Sequence, residues 1–206
     1  MNLPNKLTVL RLLLVPVFMI FLVQDTFWAY PLALAVFALA SFTDWLDGYL
    51  ARRNKEVTTF GEFMDPLADK FLVSAAFICF VGIPNLKVPA WMVVLIIGRE
   101  FLITGLRLVA MSKGSVIAAD RSGKFKTSSQ IFTISVILII LCADAILKHN
   151  SSIGLLGVES LDFWIALTQK LSYWLTFGAT LLTLISGFSY LRKNRHIFSQ
   201  EVGLSN

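Results

Sequence analysis

The sequence predicts an all-α integral membrane protein with six transmembrane helices and both termini in the cytoplasm. Three observations predict this fold class: the apolar composition, the length of the apolar runs, and the placement of the basic residues between those runs. Hydrophobic residues make up 56% of the 206 residues and charged residues only 15%, and the mean hydropathy is +0.73. A soluble chain of this length could not keep so much apolar surface away from water.

Six apolar runs are each close to the ~20 residues that a helix needs to cross about 30 Å of hydrocarbon. They cover residues 6–24, 29–52, 61–83, 88–111, 125–148 and 168–190. No small-residue cleavage site follows the first run, so we expect it to be a retained span and not a secretory signal. We expect an interfacial segment around 160–164. No repeat divides the chain, which predicts a single membrane-embedded domain over residues 1–206.

The basic residues orient these spans. With the N-terminus inside, the cytoplasmic segments carry Lys6, Arg11, Arg52, Arg53, Lys55, Lys113, Arg121, Lys124, Lys126, Arg192, Lys193 and Arg195. The opposite side has only Lys87, Lys148 and Lys170 near its loops. This bias follows the positive-inside rule and predicts a cell-membrane protein with both termini in the cytoplasm. It also argues against nucleic-acid binding, because short basic loops form no groove-sized patch.

Two pairs of aspartates interrupt the apolar runs near their predicted cytoplasmic ends. Asp44 and Asp47 are spaced i, i+3 in the second run, and Asp65 and Asp69 are spaced i, i+4 in the third, so each pair shares one helix face. Carboxylates inside membrane spans are costly and usually mark an ion or substrate site. Four facing acids with few bases nearby would repel one another unless a cation neutralised them. Oxygen ligands without His or Cys favour Mg²⁺ or Mn²⁺ over zinc or copper.

Small residues lie on the same helix faces as these acids. Gly48 and Ala51 share the stripe of the first pair together with Arg52, and Gly61 shares the stripe of the second pair. A glycine inside a helix costs roughly 1 kcal/mol relative to alanine. Its place beside the acids indicates that a ligand approaches the backbone closely, and Arg52 is suited to balance phosphate charge.

Residues 44–69 fill every fixed position of the pattern D-x2-D-G-x2-A-R-x8-G-x3-D-x3-D. This pattern resembles the signature of the CDP-alcohol phosphotransferase family. The resemblance implies a fold of six membrane helices, usually in a homodimer, with two divalent cations. It implies that CDP is held by the second helix and the loop after it, and that a phosphatidyl group passes to an alcohol with release of CMP.

The resemblance also implies roles for individual residues. The expected metal ligands are Asp44, Asp47, Asp65 and Asp69, and Asp69 is in addition our candidate general base because it lies furthest along its stripe. The residues expected to bind CDP-diacylglycerol are Asn5, Thr8, Gly48, Ala51, Arg52 and Gly61. Helix capping is the alternative role for Asn5 and Thr8.

Two further stretches, residues 4–11 and 98–127, resemble family members whose acceptor is glycerol 3-phosphate. The residues expected to bind glycerol 3-phosphate are Arg107, Arg121, Lys124 and Lys126. For the last three, a solvated cytoplasmic loop is the alternative. Arg99 lies near the middle of its span, where an arginine must be paired. An ion pair with Asp144 or Glu100 and a contact with substrate both remain open for it.

Other activities stay open at this stage. The same chemistry could use serine, inositol or inositol phosphate as acceptor. A metal-dependent membrane prenyltransferase also uses Asp-rich motifs, but it would lack the G-x2-A-R segment and have more helices. An ion-coupled transporter would place its acids in mid-membrane and show repeated halves, and neither feature occurs.

Overall fold

The computed structural model describes residues 3–24, 26–54, 59–112, 121–152 and 158–193. Side chains are described in these ranges except for residues 3–5, 45–54, 59–67, 69, 111–112, 121–124, 151–152 and 158–161. The six helices are α1 Leu3–Val23, α2 Ala29–Asn54, α3 Thr59–Gly82, α4 Ala90–Ser112, α5 Arg121–Ser152 and α6 Val158–Lys193. All six predicted helices are therefore confirmed as helices.

The boundaries differ most from prediction in the last two helices. α5 extends beyond both ends of the predicted run 125–148. α6 begins at Val158, not at 168, and so includes the residues around 160–164 that we expected to form a separate interfacial segment. The residues from 158 to 168 contain neither glycine nor proline, so nothing in their chemistry interrupts the helix before its apolar part begins.

The length and the apolar composition of its helices identify the chain as a membrane protein. Among the described residues, three helical stretches are long and apolar enough to cross a bilayer: Lys6–Val23, Phe125–Asn150 and Asp162–Lys193. Shorter apolar stretches occupy Ala29–Asp44 in α2 and Lys70–Gly82 in α3. In α2 and α3 the polar end of the helix is the end that carries the aspartate pattern.

The helices pack into one bundle around a shared apolar core. α1 packs against α2 and α3, α4 packs against α3 and α6, and α5 packs against α2 and α6. Phe18 of α1 and Phe37 of α2 are buried with their ring centroids 5.8 Å apart, and Phe77 of α3 and Leu138 of α5 are fully buried. Large apolar side chains such as Ile185 remain exposed on the outside of the bundle, as lipid contact allows.

One face of α6 carries a stripe of buried hydroxyl residues. They recur every three or four positions and are Thr168, Ser172, Thr176, Thr180, Thr183 and Ser186. Small residues of this kind let membrane helices approach closely and form hydrogen bonds between helices. The stripe contacts the loop after α3 through the Lys87 backbone N–H, which donates to Ser172 Oγ at 3.1 Å. It also meets polar side chains of α4 and α5, since Arg99 donates to Ser186 Oγ and Gln130 donates to Thr183 Oγ1.

Candidate functional site

The aspartate pattern lies at one end of the bundle, on both sides of a short connection. Asp44 lies ten residues before the end of α2 at Asn54, and Asp69 lies ten residues after the start of α3 at Thr59. Because only residues 55–58 join the two helices, all four aspartates belong to the same end of α2 and α3. The side chains of Asp47, Asp65 and Asp69 lie outside the described residues, so their convergence on one ion site stays a prediction.

Asp44 is the member of the pattern whose side chain is described, and it is paired with Arg11 of α1. Arg11 Nη1 donates to Asp44 Oδ1 at 2.7 Å. The arginine side chain is only 1% exposed, whereas the aspartate side chain is 47% exposed. α1 packs against both α2 and α3, so it brings a buried guanidinium directly to the aspartate pattern. Sequence reasoning assigned Arg11 to the inside loops and missed this pairing.

The residue types at this end suit a hard divalent cation. Carboxylate oxygens are the ligands that Mg²⁺ and Mn²⁺ prefer. Asp44 engages Arg11 with one oxygen and is half exposed, which leaves the carboxylate accessible on its other side. Among the side chains that the structure describes, no group of three or more His, Cys, Asp or Glu residues forms a ligand cluster. The fit of the site to a cation therefore rests on Asp44 and on the backbone placement of the other three aspartates.

The other residues expected to bind CDP-diacylglycerol have the following positions. Thr8 is fully buried in α1, one turn before Arg11. The helix already begins at Leu3, so neither Asn5 nor Thr8 is its cap. Gly48, Ala51 and Arg52 lie in α2 and Gly61 lies in α3, with side-chain surroundings outside the described residues.

A cavity of about 210 Å³ lies beside the third-helix half of the pattern. Its charged lining residues come from three helices: Lys70 of α3, Glu100 and Arg107 of α4, and Lys126 of α5. Lys70 directly follows Asp69 in the chain, so the cavity lies next to the end of the pattern. Three cations and one carboxylate make the wall of this cavity suited to an anion carrying more than one negative charge.

The cavity wall is held together by hydrogen bonds between helices. Lys126 is 4% exposed, and its Nζ donates to Glu100 Oε1. Lys70 Nζ donates to Thr104 Oγ1, and that hydroxyl donates to the backbone oxygen of Glu100 at 2.8 Å. Two of the three cations are therefore tied to the same turn of α4. The burial of Lys126 excludes the solvated-loop alternative for this residue.

The structure brings together part of the predicted acceptor site. Arg107 and Lys126 line the same cavity, as expected of residues that bind one ligand. Arg121 and Lys124 lie in the first turn of α5, and their side chains are outside the described residues. Sequence reasoning missed Lys70. The signal that could have found it is its position, directly after the last aspartate of the pattern and four residues before Ser74 on the same face.

Arg99 faces α6 and is held there. Its Nη2 donates to Ser186 Oγ at 2.9 Å, and its Nη1 lies 4.0 Å from Glu100 Oε1. A Cβ at Gly187 would come within 3.0 Å of the arginine Cγ, so the glycine leaves room for the side chain. Asp144, the other candidate partner, accepts a hydrogen bond from Thr168 Oγ1 at 3.1 Å. These contacts support a structural role for Arg99, with Ser186 of α6 and Glu100 as its partners.

Comparison with known proteins finds a family model and named relatives that match most of the chain. The family model described as CDP-alcohol phosphatidyltransferase matches residues 1–185. The chain is 42% identical to the CDP-diacylglycerol–glycerol-3-phosphate 3-phosphatidyltransferase of Bacillus subtilis over 94% of the chain and 95% of that relative. Identically named relatives of Pseudomonas fluorescens and Rickettsia typhi are 41% and 36% identical, covering 67% and 96% of the chain and 72% and 99% of their own lengths. With the filled aspartate pattern, these matches show that the chain belongs to the CDP-alcohol phosphatidyltransferase family.

Proposed function

We propose that the protein transfers the phosphatidyl group of CDP-diacylglycerol to the primary hydroxyl of glycerol 3-phosphate, giving phosphatidylglycerophosphate and CMP. The names of the relatives support the reaction. The observation that carries the choice of acceptor is the cavity lined by Lys70, Arg107 and Lys126, because an acceptor with its own phosphate needs fixed cations. Serine and inositol, which lack a phosphate, would not need this wall. Inositol phosphate would need it, and the names of the relatives favour glycerol 3-phosphate over it.

We assign the binding of the donor, CDP-diacylglycerol, and of its divalent cations to the aspartate pattern. Family members generally depend on divalent cations. We assign two ions, Mg²⁺ or Mn²⁺, to Asp44, Asp47, Asp65 and Asp69. Such ions, when bound, stabilise the charge of the diphosphate and of the departing CMP. Asn5, Thr8, Gly48, Ala51, Arg52 and Gly61 are the residues proposed to bind CDP-diacylglycerol.

Arg11 has a defined part in this arrangement. Its guanidinium holds one oxygen of Asp44 and so fixes the orientation of that carboxylate. A ligand whose rotamer is locked by a buried partner presents its remaining oxygen in a constant position. Arg11 therefore positions Asp44 from the side of α1.

The acceptor is bound by the cationic cavity and activated by Asp69. Lys70, Arg107 and Lys126 bind its phosphate, with Arg121 and Lys124 as further proposed contacts. Asp69 accepts the proton of the primary hydroxyl. The hydroxyl oxygen then forms a bond to the phosphorus that carries diacylglycerol, the bond from that phosphorus to the oxygen of CMP breaks, and CMP leaves with the electron pair. Lys70 and Asp69 are neighbours in the chain, and this supports a base close to the phosphate-binding wall.

We place this site at the cytoplasmic face of the cell membrane. The distribution of basic residues supports six spans with both termini in the cytoplasm. The lipid tails would remain in the bilayer while the headgroup reacts at the interface. We propose one domain over residues 1–206 and, from the family resemblance, a homodimer.

The test is an acceptor comparison with purified protein in mixed micelles. Release of CMP from CDP-diacylglycerol is measured with glycerol 3-phosphate, glycerol, serine, inositol and inositol phosphate in turn. We expect release that depends on a divalent cation and is fastest with glycerol 3-phosphate. Preference for an uncharged acceptor would overturn the acceptor assignment and leave the family chemistry in place, whereas no CMP release with any alcohol would overturn both.

A further inference from the structure

Glu100 is a buried carboxylate in the wall of a cavity that we propose to bind an anion. It is 9% exposed and lines the cavity together with Lys70, Arg107 and Lys126. An acid at this place repels an anionic ligand, and a buried charge is costly unless it is paired. Glu100 therefore needs an explanation other than direct contact with the acceptor.

The contacts of Glu100 lead to Lys126, to the neighbouring Arg99 and to α6. Arg99 Nη1 lies 4.0 Å from Glu100 Oε1 and already has Ser186 of α6 as a closer partner. Glu100 Oε1 accepts a hydrogen bond from Lys126 Nζ, and Gln130 Nε2 lies 3.4 Å from the same oxygen. Gln130 Nε2 also lies 3.1 Å from Thr183 Oγ1 on α6. Lys126 and Gln130 are one turn apart on α5, so a single carboxylate of α4 meets two successive turns of α5. Through Thr183, the glutamine connects this contact between α4 and α5 to α6.

This arrangement restricts where the Lys126 ammonium lies. A lysine side chain is long and flexible and loses up to about 2 kcal/mol of rotamer entropy when it is fixed. A buried carboxylate that is itself held by Gln130 provides a fixed partner for the ammonium. Lys126 is then placed in the cavity wall before the ligand arrives, which lowers the cost of binding.

We propose that Glu100 is a positioning residue for the acceptor: it holds Lys126 in the orientation that binds the phosphate of glycerol 3-phosphate. The proposal rests on the proposed function, since it takes the cavity to be the acceptor site. It assigns to Glu100 no contact with substrate and no part in proton transfer.

The direction in which Glu100→Gln changes the KM for glycerol 3-phosphate distinguishes a positioning role from simple charge balance. Glu100→Gln removes one negative charge from the cavity wall. If Glu100 only offset the surrounding cations, the loss of its charge would strengthen anion binding and lower the KM for glycerol 3-phosphate. If it positions Lys126, the same variant weakens that binding, and we expect the KM to rise roughly tenfold while the KM for CDP-diacylglycerol stays within twofold.

The experiment is a double-mutant cycle between Glu100 and Lys126 in the full-length protein. Lys126→Gln alone is expected to raise the KM for glycerol 3-phosphate by about a hundredfold. Adding Glu100→Gln to it is expected to change the KM by less than twofold, because the positioned group is already gone. Glu100→Asp keeps the charge but withdraws the carboxylate by one methylene, so it should also raise the KM, which charge balance alone does not predict. It also serves as the second variant if Glu100→Gln does not fold.

Asp144→Asn is the matched control. Asp144 is also a buried carboxylate with a hydrogen bond to a neighbouring helix, through Thr168, but it lies 18 residues after Lys126 on α5, about 27 Å along the helix. It should leave both KM values within twofold. A lowered or unchanged KM in Glu100→Gln, with Lys126→Gln strongly impaired, would overturn positioning while the acceptor site stands. An unchanged KM in Lys126→Gln would overturn the acceptor site itself.

Discussion

We expect the three cations of the cavity to contribute more to the binding of glycerol 3-phosphate the more deeply they are buried. Lys126 is 4% exposed, Lys70 is half-buried and Arg107 is exposed. A charge-assisted hydrogen bond is worth roughly 1.5–3 kcal/mol, and its value rises as water is excluded. At about 1.4 kcal/mol for each factor of ten, this range corresponds to a rise in KM of about ten- to a hundredfold. We expect substitution by Gln to raise the KM for glycerol 3-phosphate about a hundredfold at Lys126, about tenfold at Arg107, and by an intermediate factor at Lys70.

Glutamine is the appropriate replacement because it removes the charge but keeps an N–H donor for partners such as Glu100. The assay measures CMP release while each substrate is varied at saturating concentration of the other. Lys148→Gln is the control, since Lys148 lies at the opposite end of α5, about 33 Å from Lys126 along the helix. An equal rise in the KM for CDP-diacylglycerol would show general damage. An order that ignores burial would refute the assignment of these three residues to one phosphate, and so would an undiminished preference for glycerol 3-phosphate over glycerol.

Three further predictions concern the aspartate pattern. Turnover should be abolished, without loss of membrane insertion, by each of the substitutions Asp44→Asn, Asp47→Asn and Asp65→Asn. Exhaustive chelation should also abolish turnover until Mg²⁺ or Mn²⁺ is restored. Full activity in the presence of chelator would exclude the metal mechanism. Asp69→Asn should retain binding of CDP-diacylglycerol and lose about 10²–10⁴ in transfer rate, so a drop of less than tenfold would show that another group is the base. Arg11→Met should raise the concentration of Mg²⁺ needed for half-maximal activity, because Asp44 is no longer oriented; an unchanged requirement would show that the pair is purely structural.

The helices could be predicted from the sequence because each apolar run is long enough to be recognised by composition alone. Their ends could not be predicted as well. The first turns of α6 include Glu159, Ser160 and Asp162, and for that reason the predicted span begins only at 168, although the backbone is already helical from Val158. A hydropathy window reports where lipid contact is favourable, whereas a helix ends where the backbone changes conformation.

The candidate site could be predicted in part. The aspartate pattern depends on spacings within one helix turn, which the sequence states directly. The wall of the cavity depends on contacts between residues far apart in the chain, such as Lys126 with Glu100 and Gln130 with Thr183. Spacing along the chain contains no information about these contacts, because they follow from how α4, α5 and α6 pack. For this reason the sequence leaves the roles of Arg99 and Glu100 open, whereas the structure shows which side chains they contact.

The basic residues of this chain fall into two physical groups that a count by loop cannot separate. Cations near helix ends, such as Lys193, are exposed and follow the positive-inside rule. Arg11 and Lys126 were counted with them, yet both are buried and each meets a carboxylate of another helix, Asp44 and Glu100 respectively. A buried cation in a membrane bundle is costly, and replacement of a pair in which both partners are buried, such as Lys126 and Glu100, by apolar residues is often stabilising. Stability alone therefore does not account for this pair. Both cations lie beside groups proposed to handle phosphate. Arg11 orients a proposed metal ligand, whereas Lys126 is a proposed phosphate ligand that is already desolvated and oriented, so it would bind an anion with less reorganisation than a flexible surface lysine.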